Sequence, residues 1–347
     1  MDDTNPPTEQ QTSVIMATIE KGSLVLITGA SGYIAGHTVL AVLEAGYRVR
    51  GTVRDEKKIE WLQELVEKKF GKGKFETVVV PDMIAEGAFD EAVKGVDGII
   101  HMASVLTFSS NPDEVIPPTV KGTLNILVSA TKEPGVKSIV LTSSSMAALT
   151  PTPNEVIKVT HDTWNDDAVK KSKEPDPQGF IVYGASKVEG ERAFWKAIKD
   201  SKPPFQAAAV LPNANFGPIL KPGGEDSAST ASWITGLFKG ETSMLQFPPQ
   251  YFIDVRDDAK LHLIALIDPS CNGQRLFGFA APYTWQDVIA ILQKQNPGKT
   301  FPEDIADQGK DLSQIPSQDA EALLRKHYGK GWTSLEETIG ANTATLK

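Results

Sequence analysis

The segment Thr28-Gly29-Ala30-Ser31-Gly32-Tyr33-Ile34-Ala35-Gly36 constrains this chain more than any other. It is preceded by the apolar run Leu24-Val25-Leu26-Ile27, a short buried parallel strand. It is followed by a helical pattern with Ile34, Thr38, Val39, Val42 and Leu43 on one face. Gly29 permits a tight turn, Gly32 lets the backbone approach a pyrophosphate, and Ala35 is the third small position, where helix packs on strand. The helix N-terminus offers unpaired N–H groups and a partial positive charge to an anion. Strand before and helix after is the context that turns a glycine pattern into a nucleotide-binding loop.

The alternation continues. Strands are expected over 47–53, 75–80, 98–102, 138–142 and 207–211. Helices are expected from Ile59 to about Gly71, over 124–130 and over 183–199. This order predicts an α/β fold, a Rossmann-type doubly wound parallel sheet whose ligands lie beyond the carboxyl ends of the strands. After Pro212 the rhythm is lost to a proline- and glycine-rich segment, so a smaller, mostly C-terminal substrate-binding lobe is expected. The divisions read are a flexible tail over 1–20, a dinucleotide-binding domain over 21–211 plus about 247–281, and the lobe over 212–246 and 282–347.

The second strand ends at Val53-Arg54-Asp55, with Lys58 close behind. A guanidinium and an ammonium suit a ribose 2′-phosphate, which a carboxylate would repel. Asp55 keeps use of NAD open. Asp82-Met83 follows the third strand, where an adenine pocket would lie; Asp82 reads equally as a loop or helix cap.

Tyr183 and Lys187 lie at i and i+4 on one helix face, after the strand ending Leu141-Thr142-Ser143-Ser144-Ser145. Reducing a carbonyl requires a proton on oxygen. A free phenol, with its pKa near ~10, exchanges protons poorly at neutral pH. A nearby ammonium would lower it, and a serine hydroxyl would orient the carbonyl oxygen. Tyr183 is then the acid in reduction and the base in oxidation.

Composition removes other classes. Hydrophobic residues make up 40% of the 347 and allow an ordinary core, and a formal charge of −9 is not that of a nucleic-acid binder. One cysteine, Cys271, excludes a disulfide framework and a multi-cysteine metal site, and fits a reducing compartment. The five histidines form no pair with ligand spacing, so no metal is expected. No apolar run of about 18 residues marks a membrane span, and no Gly-x-Ser-x-Gly elbow marks a hydrolase.

Together these residues resemble the extended short-chain dehydrogenases/reductases, in the branch of dihydroflavonol reductases and of NADPH-dependent aldehyde and carbonyl reductases of basidiomycete yeasts. His101-Met102-Ala103-Ser104, Gly122-Thr123-Leu124-Asn125, Trp164, Leu211-Pro212-Asn213, Phe216-Gly217-Pro218 and Phe252-Ile253-Asp254-Val255-Arg256-Asp257 carry the resemblance further. It implies reduction of aldehydes, ketones and keto esters with NADP(H). Ser144, Tyr183 and Lys187 would be catalytic, with Ser143 or Ser145 as alternative hydroxyls. The cofactor would be held by Gly29, Ser31, Gly32, Tyr33, Ile34, Arg54, Lys58, Asp82, Met83, Ala103, Ser104, Thr142, Tyr183, Lys187, Pro212 and Asn213. Val105, Asn213, Trp233, Phe247 and Gln250 would meet the substrate. The branch often has an asparagine where Thr119 stands. A cytoplasmic monomer or homodimer is expected, with a small-molecule carbonyl substrate and neither nucleic acid nor membrane as partner. Sugar-nucleotide epimerisation or dehydration, and NADP sensing without catalysis, are alternatives on the same scaffold.

Overall fold

The computed structural model describes residues 18–302 and 306–346. The first half builds β1 (Leu24–Thr28), α1 (Tyr33–Glu44), β2 (Arg48–Val53), α2 (Glu60–Phe70), β3 (Phe75–Val79), β4 (Gly98–His101), α3 (Pro112–Lys132) and β5 (Ser138–Thr142). Next come α4 (Asp166–Lys171), α5 (Gly179–Ser201), β6 (Gln206–Pro212), β7 (Ala214–Phe216), α6 (Ala231–Lys239), β8 (Gln250–Asp254) and α7 (Val255–Ile267). The chain closes with β9 (Arg275–Gly278), β10 (Ala281–Tyr283), α8 (Trp285–Gln295), α9 (Ser317–Tyr328) and α10 (Leu335–Asn342).

Seven parallel strands form the main sheet in the order β3-β2-β1-β4-β5-β6-β9. This is the expected doubly wound sheet, and its order reverses between β1 and β4. All five residues of β1 are buried, because both faces of the sheet are covered. Alternation divides them. Val25 and Ile27 join the core under α1 and α7, while Leu24 and Leu26 join the opposite core, which includes Ile126 of α3 and Phe194 of α5. Burying a side chain of this size contributes about 1.5–3 kcal/mol.

Three boundaries differ from the sequence reading. Residues 1–17 of the expected tail lie outside the described residues, but Ile19 is fully buried and Thr18 N donates to Ile267 O at 2.8 Å. β8 pairs with β7 and β10 in a separate three-stranded sheet, whereas β9 joins the large one and α7 packs into the core against it. α9, expected in the lobe, packs Ala320 and Leu324 into the core under α1 and α7. The lobe core gathers Phe216, Ile234, Leu237, Phe252, Tyr283 and Trp285.

Candidate active site

The β1–α1 loop lies at the reversal of strand order. Gly29 has φ +69, and a Cβ there would sit 3.3 Å from Ala103 Cα in the loop after β4. Thr28 Oγ1 ties the two loops together by accepting from Met102 N at 2.9 Å and Ala103 N at 3.0 Å. The buried His101 ring shares that hydroxyl at 2.9 Å, and burial holds its pKa at about 3. His101 is thus a neutral brace.

Gly32 caps α1 without a side-chain bond, and no acid stands in the first turn. Among the described residues nothing competes with an anion for the first-turn amides of Tyr33 and Ile34. A Cβ on Gly32 would meet Gly29 O at 3.2 Å. Ser31 is half-buried beside it. The Tyr33 hydroxyl donates to Gly217 O at 3.1 Å, so that side chain fastens α1 to the chain after β7.

Arg54 and Lys58 are both exposed beyond β2 and form no ion pair among the described residues. Asp55 between them is engaged, its carboxylate accepting from Lys57 N at 3.0 Å. Asp82 behaves as a cap, accepting from Ile84 N at 2.9 Å. Met83 packs toward Gly122, and Asn125 Nδ2 donates to the carbonyls of Met83 and Ala85, both at 2.9 Å.

α5 and the turn after β5 bring the three expected catalytic side chains together. Ser144 has extended backbone (φ −161, ψ 154) and faces the Tyr183 phenol, opposing the upward push that burial gives its pKa. Lys187 Nζ lies 5.7 Å from the centre of the Tyr183 ring. The Ser143 hydroxyl instead donates to Glu191 Oε2 at 2.6 Å, and Ser145 is buried at the start of a short 3-10 turn. Of the three serines, Ser144 is the one beside the Tyr183 phenol, and its Oγ also accepts from Met146 N at 3.2 Å.

One expectation is corrected here. Lys187 does not draw the phenol below its ordinary range; burial raises it. The ammonium lies over the ring and is desolvated itself, which pushes its pKa down to about 8, with Glu191 opposing the fall.

Thr142 Oγ1 shares a 2.8 Å bond with the buried His262 ring. Ser104, Thr142 and Lys187 line a cavity of about 10 Å³ together with Thr119, Ser143 and Glu191. Thr119 bonds its own helix at Val115 O, 2.7 Å away, and supplies no amide. Pro212 ends β6, and Asn213 follows with Oδ1 accepting from Ala214 N at 2.7 Å. Ser104 Oγ beside this cavity and Asn213 Nδ2 after β6 are buried with no hydrogen-bond partner among the described residues. A crevice with a glycine-lined helix end, two exposed cations and buried polar atoms still open to a partner fits a phosphorylated dinucleotide.

The expected substrate residues separate. Trp233 and Phe247 stack at 4.5 Å and line a cavity of about 340 Å³ with Met244, Gln246, Asp226 and Glu241. Val105, Asn213 and Gln250 do not line it. Val105 is half-buried after β4, and Gln250 opens β8. Phe108, missed in the sequence, is 54% exposed with φ +48, and its ring lies 4.9 Å from that of Tyr183. No periodicity marks it, because the contact arises only where the fold brings the chain after β4 over α5.

A parallel sheet with its glycine loop at the strand-order reversal, and Ser144, Tyr183 and Lys187 gathered beside it, defines a short-chain dehydrogenase/reductase of the extended class. The chain belongs to the NAD dependent epimerase/dehydratase family, whose model matches residues 25–274. It is 44% identical to aldehyde reductase 2 of Sporidiobolus salmonicolor, over 94% of this chain and 98% of that protein. It is 42% identical to ketoreductase adrE of Penicillium roqueforti, over 94% and 97% of the two chains. Among solved structures it resembles yeast methylglyoxal/isovaleraldehyde reductase Gre2 complexed with NADPH, with TM-score 0.80 and 27% identity over 93% of this chain and 98% of that one. The resemblance read from the motifs therefore holds over nearly the whole chain.

Proposed function

We propose that this protein is an NADPH-dependent carbonyl reductase that converts aldehydes, ketones and keto esters to alcohols. The observation that carries the reading is the Ser144 hydroxyl facing the Tyr183 phenol, with Lys187 one helical turn on, at the mouth of the dinucleotide crevice. Relatives named as an aldehyde reductase and a ketoreductase support the reaction class, and a neighbour solved with NADPH supports the cofactor.

In this reading the first-turn amides of α1 take the pyrophosphate, and Arg54 and Lys58 take the 2′-phosphate. Bound NADPH supplies the hydride that the carbonyl carbon accepts. Ser144 orients the carbonyl oxygen, and Tyr183 Oη gives it a proton. Lys187, charged below about pH 8, stabilises the phenolate left behind. Solvent then returns the proton to Tyr183. Phe108 covers the phenol, and Trp233 and Phe247 offer the lobe's apolar wall.

Asp55 spends its carboxylate on the turn after β2, which leaves the cations to select NADPH over NADH. The buried Cys271 is in keeping with a reducing cytoplasm, and no described helix is long and apolar enough to cross a membrane.

The test is absorbance of NADPH, then of NADH, with a panel of aldehydes, aryl ketones and β-keto esters. NADPH oxidation, much slower with NADH, is expected. Protein that purifies with bound NAD and oxidises neither cofactor would point to sugar-nucleotide epimerisation instead.

A further inference from the structure

Tyr183, Lys187 and Glu191 follow one another at four-residue steps on α5, so a carboxylate stands one turn beyond the lysine. Glu191 is 1% exposed, and three side chains donate to its two oxygens. Oε1 accepts from Arg275 Nε at 2.6 Å and Trp195 Nε1 at 3.1 Å. Oε2 accepts from Ser143 Oγ at 2.6 Å and Arg275 Nη2 at 3.3 Å. Arg275 is held in turn. Its Nη1 donates to the carbonyls of His161 at 2.9 Å and Thr163 at 2.6 Å, and its guanidinium lies 4.1 Å from the centre of the Trp164 ring. The pair joins α5, β9, the 161–164 segment and the turn after β5.

A buried ion pair stabilises little more than an apolar replacement of the same shape, because desolvation offsets the attraction. Geometry is what it fixes. Along extended backbone successive side chains point to opposite sides. Ser143 reaches back to Glu191 and Ser144 reaches forward to Tyr183. Holding the first aims the second.

We propose that Glu191, clamped by Arg275, is a positioning residue: through Ser143 it sets the turn that aims Ser144 at Tyr183, and along α5 it supports the Lys187 ammonium. The inference rests on the carbonyl-reductase reading. Among the described residues, the titratable groups facing Lys187 are Tyr183 and Glu191 on its own helix and His101 at the end of β4, and His101 is held neutral by burial. Glu191 is thus the anionic neighbour of the ammonium.

The test compares Ser143→Ala and Glu191→Gln with the unaltered enzyme by kcat against pH, NADPH Kd and Tm. Ser143→Ala leaves the ion pair intact and is expected to lower kcat about 10-fold, with NADPH Kd changed less than about twofold. Glu191→Gln is expected to lower kcat further and move the alkaline limb of its pH profile to lower pH. Where Glu191→Gln fails to fold because Arg275 is left unpaired, Ser143→Ala decides. A Ser143→Ala enzyme with unaltered kcat, whatever its Tm, overturns the aiming role. A folded Glu191→Gln enzyme with an unmoved alkaline limb overturns the support of Lys187. If the unaltered enzyme itself fails to reduce carbonyls with NADPH, the functional reading falls instead.

Discussion

At the scale of single residues, burial governs the chemistry. It pushes Lys187 down to about 8, so its ammonium persists below that pH and is lost above it. Carbonyl reduction is expected to decline as pH rises through about 8, which a kcat profile from pH 6 to 10 would show; a rate still climbing at pH 9 would contradict it. Arg54 and Lys58 give a second expectation. Replacing both with alanine should weaken NADPH binding roughly 10-fold or more, the loss of charge-assisted bonds to phosphate, and leave NADH binding nearly as it was. Fluorescence titration of the two cofactors measures both. Ser144, Tyr183 and Lys187 were legible because they lie in short local patterns. Glu191 was half-legible, since it extends the four-residue steps of α5. Its partner Arg275 was not, because 84 residues of chain separate them and the contact exists only after β9 joins β6. The direction of the Tyr183 shift was also hidden, because it depends on burial and not on the spacing of the lysine.

At the scale of elements, the β1–α1 loop is where the proposed dinucleotide is expected to bind. Gly29→Val would force a β-branched residue into φ +69 against Ala103. The strain is on the order of 1–3 kcal/mol, so a fall in Tm of several degrees together with loss of NADPH binding is expected. Calorimetry and titration on the same sample would check it. This loop was readable because a glycine turn between strand and helix has few other uses. α3 was only partly read: its apolar period is clear over 124–130, yet the helix begins at Pro112, where Asn111 caps it by accepting from Asp113 N. Pro117 and Pro118 lie within it and argue against a helix in any local reading. β9, four residues long, lacks the length that makes a strand evident, and the run Tyr251-Phe252-Ile253 gives no sign of which sheet it joins.

At the scale of the molecule, α1 fastens the sheet to the chain entering the lobe, through Tyr33 to Gly217 O and His37 to Pro218 O. His37 and His101 are held neutral by burial, with pKa values lowered to about 4 and about 3. Their ordinary value in an unfolded chain is near ~6.5, so the unfolded state binds more protons between these limits and stability falls as pH drops. Each histidine is expected to cost on the order of 2 kcal/mol at pH 5 relative to pH 7. Urea denaturation at the two pH values would show a lower midpoint at pH 5; equal midpoints would contradict the assignment. The lobe was the least legible part of the chain. Trp233 and Phe247 were read as substrate residues, and they do stack at a cavity, but which side chains share it depends on loops that local patterns leave open.

The central claim is that Tyr183 protonates a carbonyl in an NADPH-bound site, and Tyr183→Phe tests it most directly. NADPH affinity is expected to stay within about twofold while kcat falls by at least ~100-fold, the scale of general acid catalysis. A variant that binds NADPH normally and keeps more than a few per cent of its turnover would contradict the account.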